Sequence, residues 1–373
     1  MKSIHATKKL QTTELYKELQ GNLKNYYEVS TTKEKKQKSY LSRLNLCNTK
    51  TGELLKLNYD FEAEYKKYCK LIEQKSLAIE HTAQELEYAS VFLTFTLPSP
   101  FHPFKSRKGK NGERLYVATN EQFIFNTLHD AIDDGCVFLN NLIRTFYKRI
   151  KNYVKDEFLY VKVFEPHSTM IPHLHYLCFF PVKYIDDVKA VYQRVIAEYA
   201  LNQVDFEECR FRDNVNSATR YLLKYITKNL SDSKDYFAIR SLDGWKKHHK
   251  IRIVTSSNLG LTQFLYKKIY YSITPDIKAI IDPIIKEKNI PYYIYLQENT
   301  FIKKQIKRLD LKRTPINRET FGDANSLFKI ELKINRIRSP STQNLSYSVR
   351  ELTIKYRNKL LYSKSLYVTV YAV

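Results

Sequence analysis

Two histidines one residue apart sit inside an otherwise apolar run, Pro172-His-Leu-His-Tyr-Leu-Cys-Phe-Phe-Pro181. A run of this kind constrains the chain to a strand. Successive strand side chains point to opposite faces, so His173 and His175 share one face while Leu174, Tyr176, Cys178 and Phe180 fill the other. Residues 157 to 164 read as an earlier strand and Pro166 to Pro172 as a turn, which predicts a hairpin that returns Glu165 beside the histidines. Two imidazoles and a carboxylate suit Mg²⁺, Mn²⁺ or Zn²⁺ and leave coordination positions open to a substrate oxygen. The plainer reading of a bare His-x-His is two satisfied histidines at a sheet edge, and His167, in the same turn, competes with Glu165 as third ligand.

The flanking sequence supplies the rest of a sheet. Residues 10 to 89 carry helical spacing, clearest from Phe61 to Tyr88. A strand at 91 to 97 is ended by Pro98-Ser99-Pro100, the basic segment 105 to 114 reads as a loop, and 120 to 152 as a long helix. After the hairpin come a helix at 185 to 200, a strand at 203 to 212 and a helix at 216 to 229. The expected fold class is therefore α+β, a central, mainly antiparallel sheet with flanking helices in the ferredoxin-like manner, with the hairpin in its middle.

The balance of charge points to a polyanionic partner: 62 Lys and Arg against 39 Asp and Glu give a formal net charge of +23. Residues 276 to 373 alone hold nineteen Lys and Arg against nine Asp and Glu, densest at Lys303, Lys304, Lys307, Arg308, Lys312 and Arg313. The Lys-rich stretch 33 to 38 reads as a solvated helix face or arm, and His248-His249, among Lys246, Lys247 and Lys250, as a solvated basic loop. Five scattered cysteines without a Cys-x-x-Cys pair exclude a zinc ribbon and fit a reducing cytoplasm. Nowhere do about eighteen apolar residues run uninterrupted, so neither secretion nor membrane spanning is expected.

The helix expected at 216 to 229 places Tyr221 and Tyr225 on one face with Lys224 adjacent. A Tyr-x-x-x-Tyr pair is common in a chain with 30 tyrosines, and Tyr266 and Tyr270 form another. Position distinguishes the first pair, because it follows the strand after the histidine hairpin and can pack on the same sheet.

Together these segments resemble the HUH endonucleases, and within them the replication gene A proteins of temperate tailed phages. The resemblance is carried by Phe92-Leu-Thr-Phe-Thr-Leu-Pro-Ser-Pro-Phe-His102, by Glu165-Pro-His with Pro172-His-Leu-His175, and by Tyr221-Leu-Leu-Lys-Tyr-Ile-Thr-Lys-Asn229. It fades after about residue 270. It implies a rolling-circle replication initiator, a metal-dependent nickase and strand transferase with Tyr221 and Tyr225 as nucleophiles and Lys224 assisting. Glu165, His173 and His175 would hold Mg²⁺ or Mn²⁺, Thr94 and Thr96 would pack beside them, and His102 would contact DNA, support the site or end the strand's loop. The implied partners are single-stranded DNA at a replication origin and a host helicase and DNA polymerase, the helicase because no Gly-x-x-x-x-Gly-Lys-Ser/Thr phosphate loop occurs here. A monomer in the bacterial cytoplasm is expected. The domain reading is a helical region at 1–89, the endonuclease domain at 90–230, an extension at 231–275 and a basic accessory domain at 276–373. The rivals are a two-tyrosine rolling-circle transposase, often marked by a Cys-rich zinc module not visible here, and a non-catalytic RNA-binding protein of ferredoxin-like fold.

Overall fold

A computed structural model describes residues 5–47, 54–109, 114–155, 157–201, 204–209, 236–309, 316–338 and 345–365. The chain divides into two compact units, one ending at Ser257 and one beginning at Asn258. The first unit contains α1 (Glu14–Ser42), α2 (Phe61–Glu85), β1 (Tyr88–Thr96), α3 (Leu128–Val154), β2 (Leu159–Pro166), β3 (Pro172–Pro181), α4 (Ile185–Glu198), β4 (Val204–Cys209), α5 (Tyr236–His248) and β5 (Val254–Ser256). Its five-stranded sheet runs β4-β1-β3-β2-β5 with every neighbouring pair antiparallel. The fold is α+β, and β3 is the central strand rather than an edge.

Alternation along β3 builds the core. Leu174, Tyr176, Cys178 and Phe180 are fully buried on one face with Leu93 and Phe95 of β1 and Phe164 of β2. Helix α3 covers that face. Its buried positions, among them Leu128, Ala131, Ile132, Leu139, Leu142, Phe146 and Ile150, recur every three to four residues, the spacing of a single apolar stripe. Thr127 caps the helix by accepting from the Asp130 N–H at 3.1 Å. The Phe146 and Tyr176 rings meet edge to face, their centroids 6.2 Å apart. Helix α2, capped by Asp60, packs on β1, β2 and β3 as well.

Two side-chain devices fix the remaining pieces. The β2–β3 turn needs a left-handed residue, supplied by buried Met170 at φ 67°, and the Trp245 indole N–H donates to the Met170 carbonyl at 3.1 Å. Where α5 crosses α1, a Cβ on Gly244 would lie 1.7 Å from the Tyr26 carbonyl oxygen, so only glycine allows this approach. Around the crossing, Ser30 donates to Asp243 at 2.6 Å and Arg240 pairs with Glu34 at 2.5 Å.

Several sequence expectations change. The segment 105 to 114, read as a loop, belongs to a two-stranded antiparallel ribbon of Phe104–Lys108 and Arg114–Thr119. The helical reading of 10 to 89 is interrupted by a short ribbon, Asn45–Cys47 against Leu54–Lys56. The long helix starts at Leu128, not at 120, once Thr127 is available as its cap.

The second unit pairs helices Gln263–Ser272, Pro275–Lys288 and Tyr292–Glu298 with a five-stranded sheet. Thr300–Arg308 and Phe328–Arg338 run parallel at its centre, with Ile302, Phe328, Ile330, Leu332, Leu352 and Ile354 buried. Pro275 is the first residue of its helix and Pro283 lies inside it. Lys304 is buried over the Phe321 ring, its Nζ 4.4 Å from the centroid, so it does not share a solvent surface with Lys303. Lys312 and Arg313 lie outside the described residues.

Candidate metal centre

The register of three strands assembles the candidate site. Glu165 of β2 stands opposite His173 of β3, while Thr96 and Thr94 of β1 stand opposite His173 and His175. All five side chains therefore rise from the face that α3 does not cover. The Thr94 hydroxyl lies 3.2 Å from His175 Nδ1 and the Thr96 hydroxyl 3.2 Å from His173 Nδ1. Glu165 Oε2 lies 3.2 Å from His175 Nε2. The two imidazole centroids are 4.8 Å apart, and Phe92 stacks on His175 at 5.6 Å.

This arrangement suits a divalent ion in three respects. Holding each Nδ1 with a hydroxyl leaves Nε2 as the coordinating atom, the usual way a neighbouring group sets the tautomer of a ligating histidine. Burial, followed by the proximity of His175, His167, His102 and Arg114, pushes the His173 pKa down to about 3, so the ring is neutral at neutral pH, the form that ligates. Glu165 supplies the anionic oxygen that Mg²⁺ and Mn²⁺ favour.

His167 and His102 complete a four-histidine neighbourhood. Burial, then Arg114 and His102, lowers the His167 pKa to about 4. Its ring is engaged by Arg114, by the Tyr116 hydroxyl at 3.3 Å and by Ser168 at 3.2 Å. These contacts tie the β2–β3 turn to the ribbon that sequence reasoning read as a loop. His102 donates from Nε2 to the Leu97 carbonyl at 2.9 Å, which closes the turn after β1. Glu165 thus faces His175, while the His167 ring is engaged by Arg114, Tyr116 and Ser168.

Tyr221, Lys224 and Tyr225 lie outside the described residues. His248 and His249 are not a solvated loop: His248 ends α5, the His249 side chain is wholly buried, and both gather with His129 of α3. Among the described residues it is this trio, rather than Glu165, His173 and His175, whose ligand atoms all lie within 4.8 Å of one another. His129 was missed because a lone histidine on an exposed helical position carries no signal until its distant partners are placed. Its only local sign is Asp133 one turn later.

The fold and site define an α+β protein with a histidine–carboxylate cluster on the central strands of an antiparallel sheet. Residues 18–233, more than half of the chain, match the bacteriophage replication gene A protein family, and the chain belongs to that family. It is similar to a replication protein of Haemophilus phage HP1 (strain HP1c1), 28% identical over 157 residues. That match takes in 41% of this chain and 18% of the relative, so the chain spans a small part of that protein's length. No solved structure matches the chain. Among the described residues, no helix is long and apolar enough to cross a membrane.

Proposed function

We propose that this protein is a metal-dependent, site-specific single-strand DNA nickase and strand transferase of the HUH endonuclease type that starts rolling-circle replication. The observation that carries the reading is the juxtaposition of Glu165, His173 and His175 on adjacent strands with Thr94 and Thr96 at their backs. Membership in a phage replication family and the order of the sequence motifs support it.

In this reading Glu165, His173 and His175 hold Mg²⁺ or Mn²⁺. A bound ion of this kind polarises the scissile phosphate and stabilises the charge that grows during displacement. Thr94 and Thr96 each hold the Nδ1 of one histidine, which leaves its Nε2 for the ion. Tyr221 or Tyr225 attacks phosphorus through its phenol oxygen, the bond from phosphorus to the 3′-oxygen breaks, and the phenolic proton passes to that oxygen. The products are a 5′-phosphotyrosine and a free 3′-hydroxyl that primes a host polymerase. Phenol, with a pKa near 10, is a better leaving group than an alkyl alcohol, so the linkage stays reactive and no ATP is consumed. Lys224 contacts the phosphate or favours tyrosinate. Unwinding falls to a host helicase, and the site of action is the cytoplasm of a bacterial host, where the chain works as a monomer.

The test is incubation of the protein with labelled single-stranded DNA from the element's own origin and Mn²⁺, followed by denaturing electrophoresis. A covalent adduct that needs both the metal and Tyr221 or Tyr225 is expected. No adduct across the whole origin would put the non-catalytic nucleic-acid-binding reading ahead.

A further inference from the structure

A second cluster lies on the α3 side of the sheet, away from Glu165. His129 sits in the first turn of α3, Asp133 follows one turn later, His248 is the last residue of α5 and His249 follows it. His248 Nε2 lies 3.3 Å from His129 Nδ1, and the three imidazole centroids are 4.9 to 5.2 Å apart. We propose that His129, His248 and His249 form a second metal site, one for Zn²⁺ or a similar transition ion, whose occupancy locks α3 and α5 together.

Distance argues for it first. Zinc–nitrogen bonds of about 2.0–2.1 Å at a tetrahedral angle put two ligand nitrogens about 3.3 Å apart. The His129–His248 separation already has that value, and the ligand atoms of the trio all fall within 4.8 Å of one another. Donor chemistry argues next. Three imidazoles select zinc and its neighbours over Mg²⁺ or Ca²⁺, which require oxygen-rich sets.

Orientation is also provided. Asp133 reaches His249 Nδ1 with Oδ1 at 2.6 Å and His129 Nε2 with Oδ2 at 3.3 Å, the carboxylate–histidine pairing that steadies metal ligands. The Tyr26 hydroxyl of α1 lies 2.7 Å from His249 Nε2, the nitrogen that Asp133 leaves for the ion, so metal binding displaces this hydroxyl and is felt by α1. Of the nearby cations, Lys246 and Lys247 are both paired with Asp243, while Lys33 of α1 lies close enough to His248 to oppose a bound cation. His248 and His249 lie beyond residue 233, where the family match ends, while His129 and Asp133 lie within it; the site shares no residue with the Glu165, His173 and His175 cluster.

A metal-free arrangement is the competing one, in which Asp133 accepts from two rings, His129 accepts from His248 and Tyr26 donates to His249. The two are separated by dialysing the chelator-treated full chain against Zn²⁺ and measuring metal per chain and Tm. The His129→Ala, His248→Ala double variant serves as the comparison, since His129 is about half exposed and neither ring fills the core. A His173→Ala, His175→Ala variant reports the other site. The expected result is one fewer Zn²⁺ per chain in the His129/His248 variant, a Zn²⁺-induced rise in Tm that this variant loses, and retention of both by the His173/His175 variant. Asp133→Asn should weaken that equivalent by about 10–100-fold. Equal Zn²⁺ content and equal Tm shifts in the parent and the His129/His248 variant would overturn the proposal.

Discussion

Thr94 and His175 face each other in register across β1 and β3, with the threonine hydroxyl 3.2 Å from the ring Nδ1. The hydroxyl is the contact that selects which nitrogen points toward Glu165. Thr94→Val keeps the shape and removes that contact. Mn²⁺ affinity should fall about 10–100-fold, with the Tm little changed, and Thr94→Ser should restore it. Calorimetric titration of the three proteins checks this, and wild-type affinity in the valine variant would show that Thr94 only packs.

The third ligand gives a sharper comparison. Glu165 reaches His175 Nε2, whereas His167 is held by Arg114, Tyr116 and Ser168. Glu165→Ala should abolish Mn²⁺-dependent adduct formation on origin DNA. His167→Ala should leave most of it and act instead on the stability of the β2–β3 turn. The reverse pattern in the adduct assay would transfer the ligand role to His167.

The contrast between these two histidine groups also shows what sequence carries. Strand alternation placed His173, His175 and Glu165 together because a hairpin is a local structure: its register follows from the turn and the side-chain period of two. The helices Phe61–Glu85, Leu128–Val154 and Ile185–Glu198 were legible from local apolar spacing, whereas Tyr236–His248 was not. The ribbon at Phe104–Lys108 and Arg114–Thr119 was not legible either, because its first strand is mostly charged and exposed and its second buries Tyr116 alone. The His129–His248–His249 cluster joins residues more than a hundred positions apart, and nothing in either local segment encodes the meeting. Lys304, counted among surface charges, instead lies along an aromatic ring, as a long aliphatic stem permits.

Gly244 tests the helix crossing. Its missing Cβ would meet the Tyr26 backbone itself, which cannot swing aside as a side chain can. Gly244→Ala should cost about 1–3 kcal/mol or more, against the small gain that alanine normally brings inside a helix. Denaturant unfolding would register it as a lower midpoint at unchanged slope. A stabilised variant would mean that α1 and α5 do not cross this closely.

Asp243 makes the same crossing sensitive to acid. Burial pushes its pKa up, but Lys246, Lys247 and Ser30 outweigh burial and hold the carboxyl below its ordinary 3.8. A carboxyl depressed in the folded state contributes stability that is complete above pH 3.8 and is lost as pH falls through the lower folded value. Asp243→Asn should therefore lower Tm at pH 7 and flatten the acid limb of a Tm-against-pH curve. Parallel curves for the two proteins would remove Asp243 from the acid response.

The two tyrosines carry the prediction on which the replication mechanism turns. If Tyr221 and Tyr225 stand one helical turn apart, both can address one phosphate, and one can hold the 5′ end of the parent strand while the other attacks the regenerated origin. Each single Tyr→Phe variant should then still form an adduct on an oligonucleotide, and only the double variant should be inert. Either single variant should nonetheless fail to release closed circles when replication is reconstituted with host helicase and polymerase, because the second transfer needs a free phenol while the first is occupied. The alternative is a single nucleophile beside a packing tyrosine, like Tyr266 and Tyr270, whose ring centroids lie 5.9 Å apart in the second unit. In that case one Phe variant loses all adduct and the other releases circles normally, which would retain the nickase and reject alternation between two tyrosines.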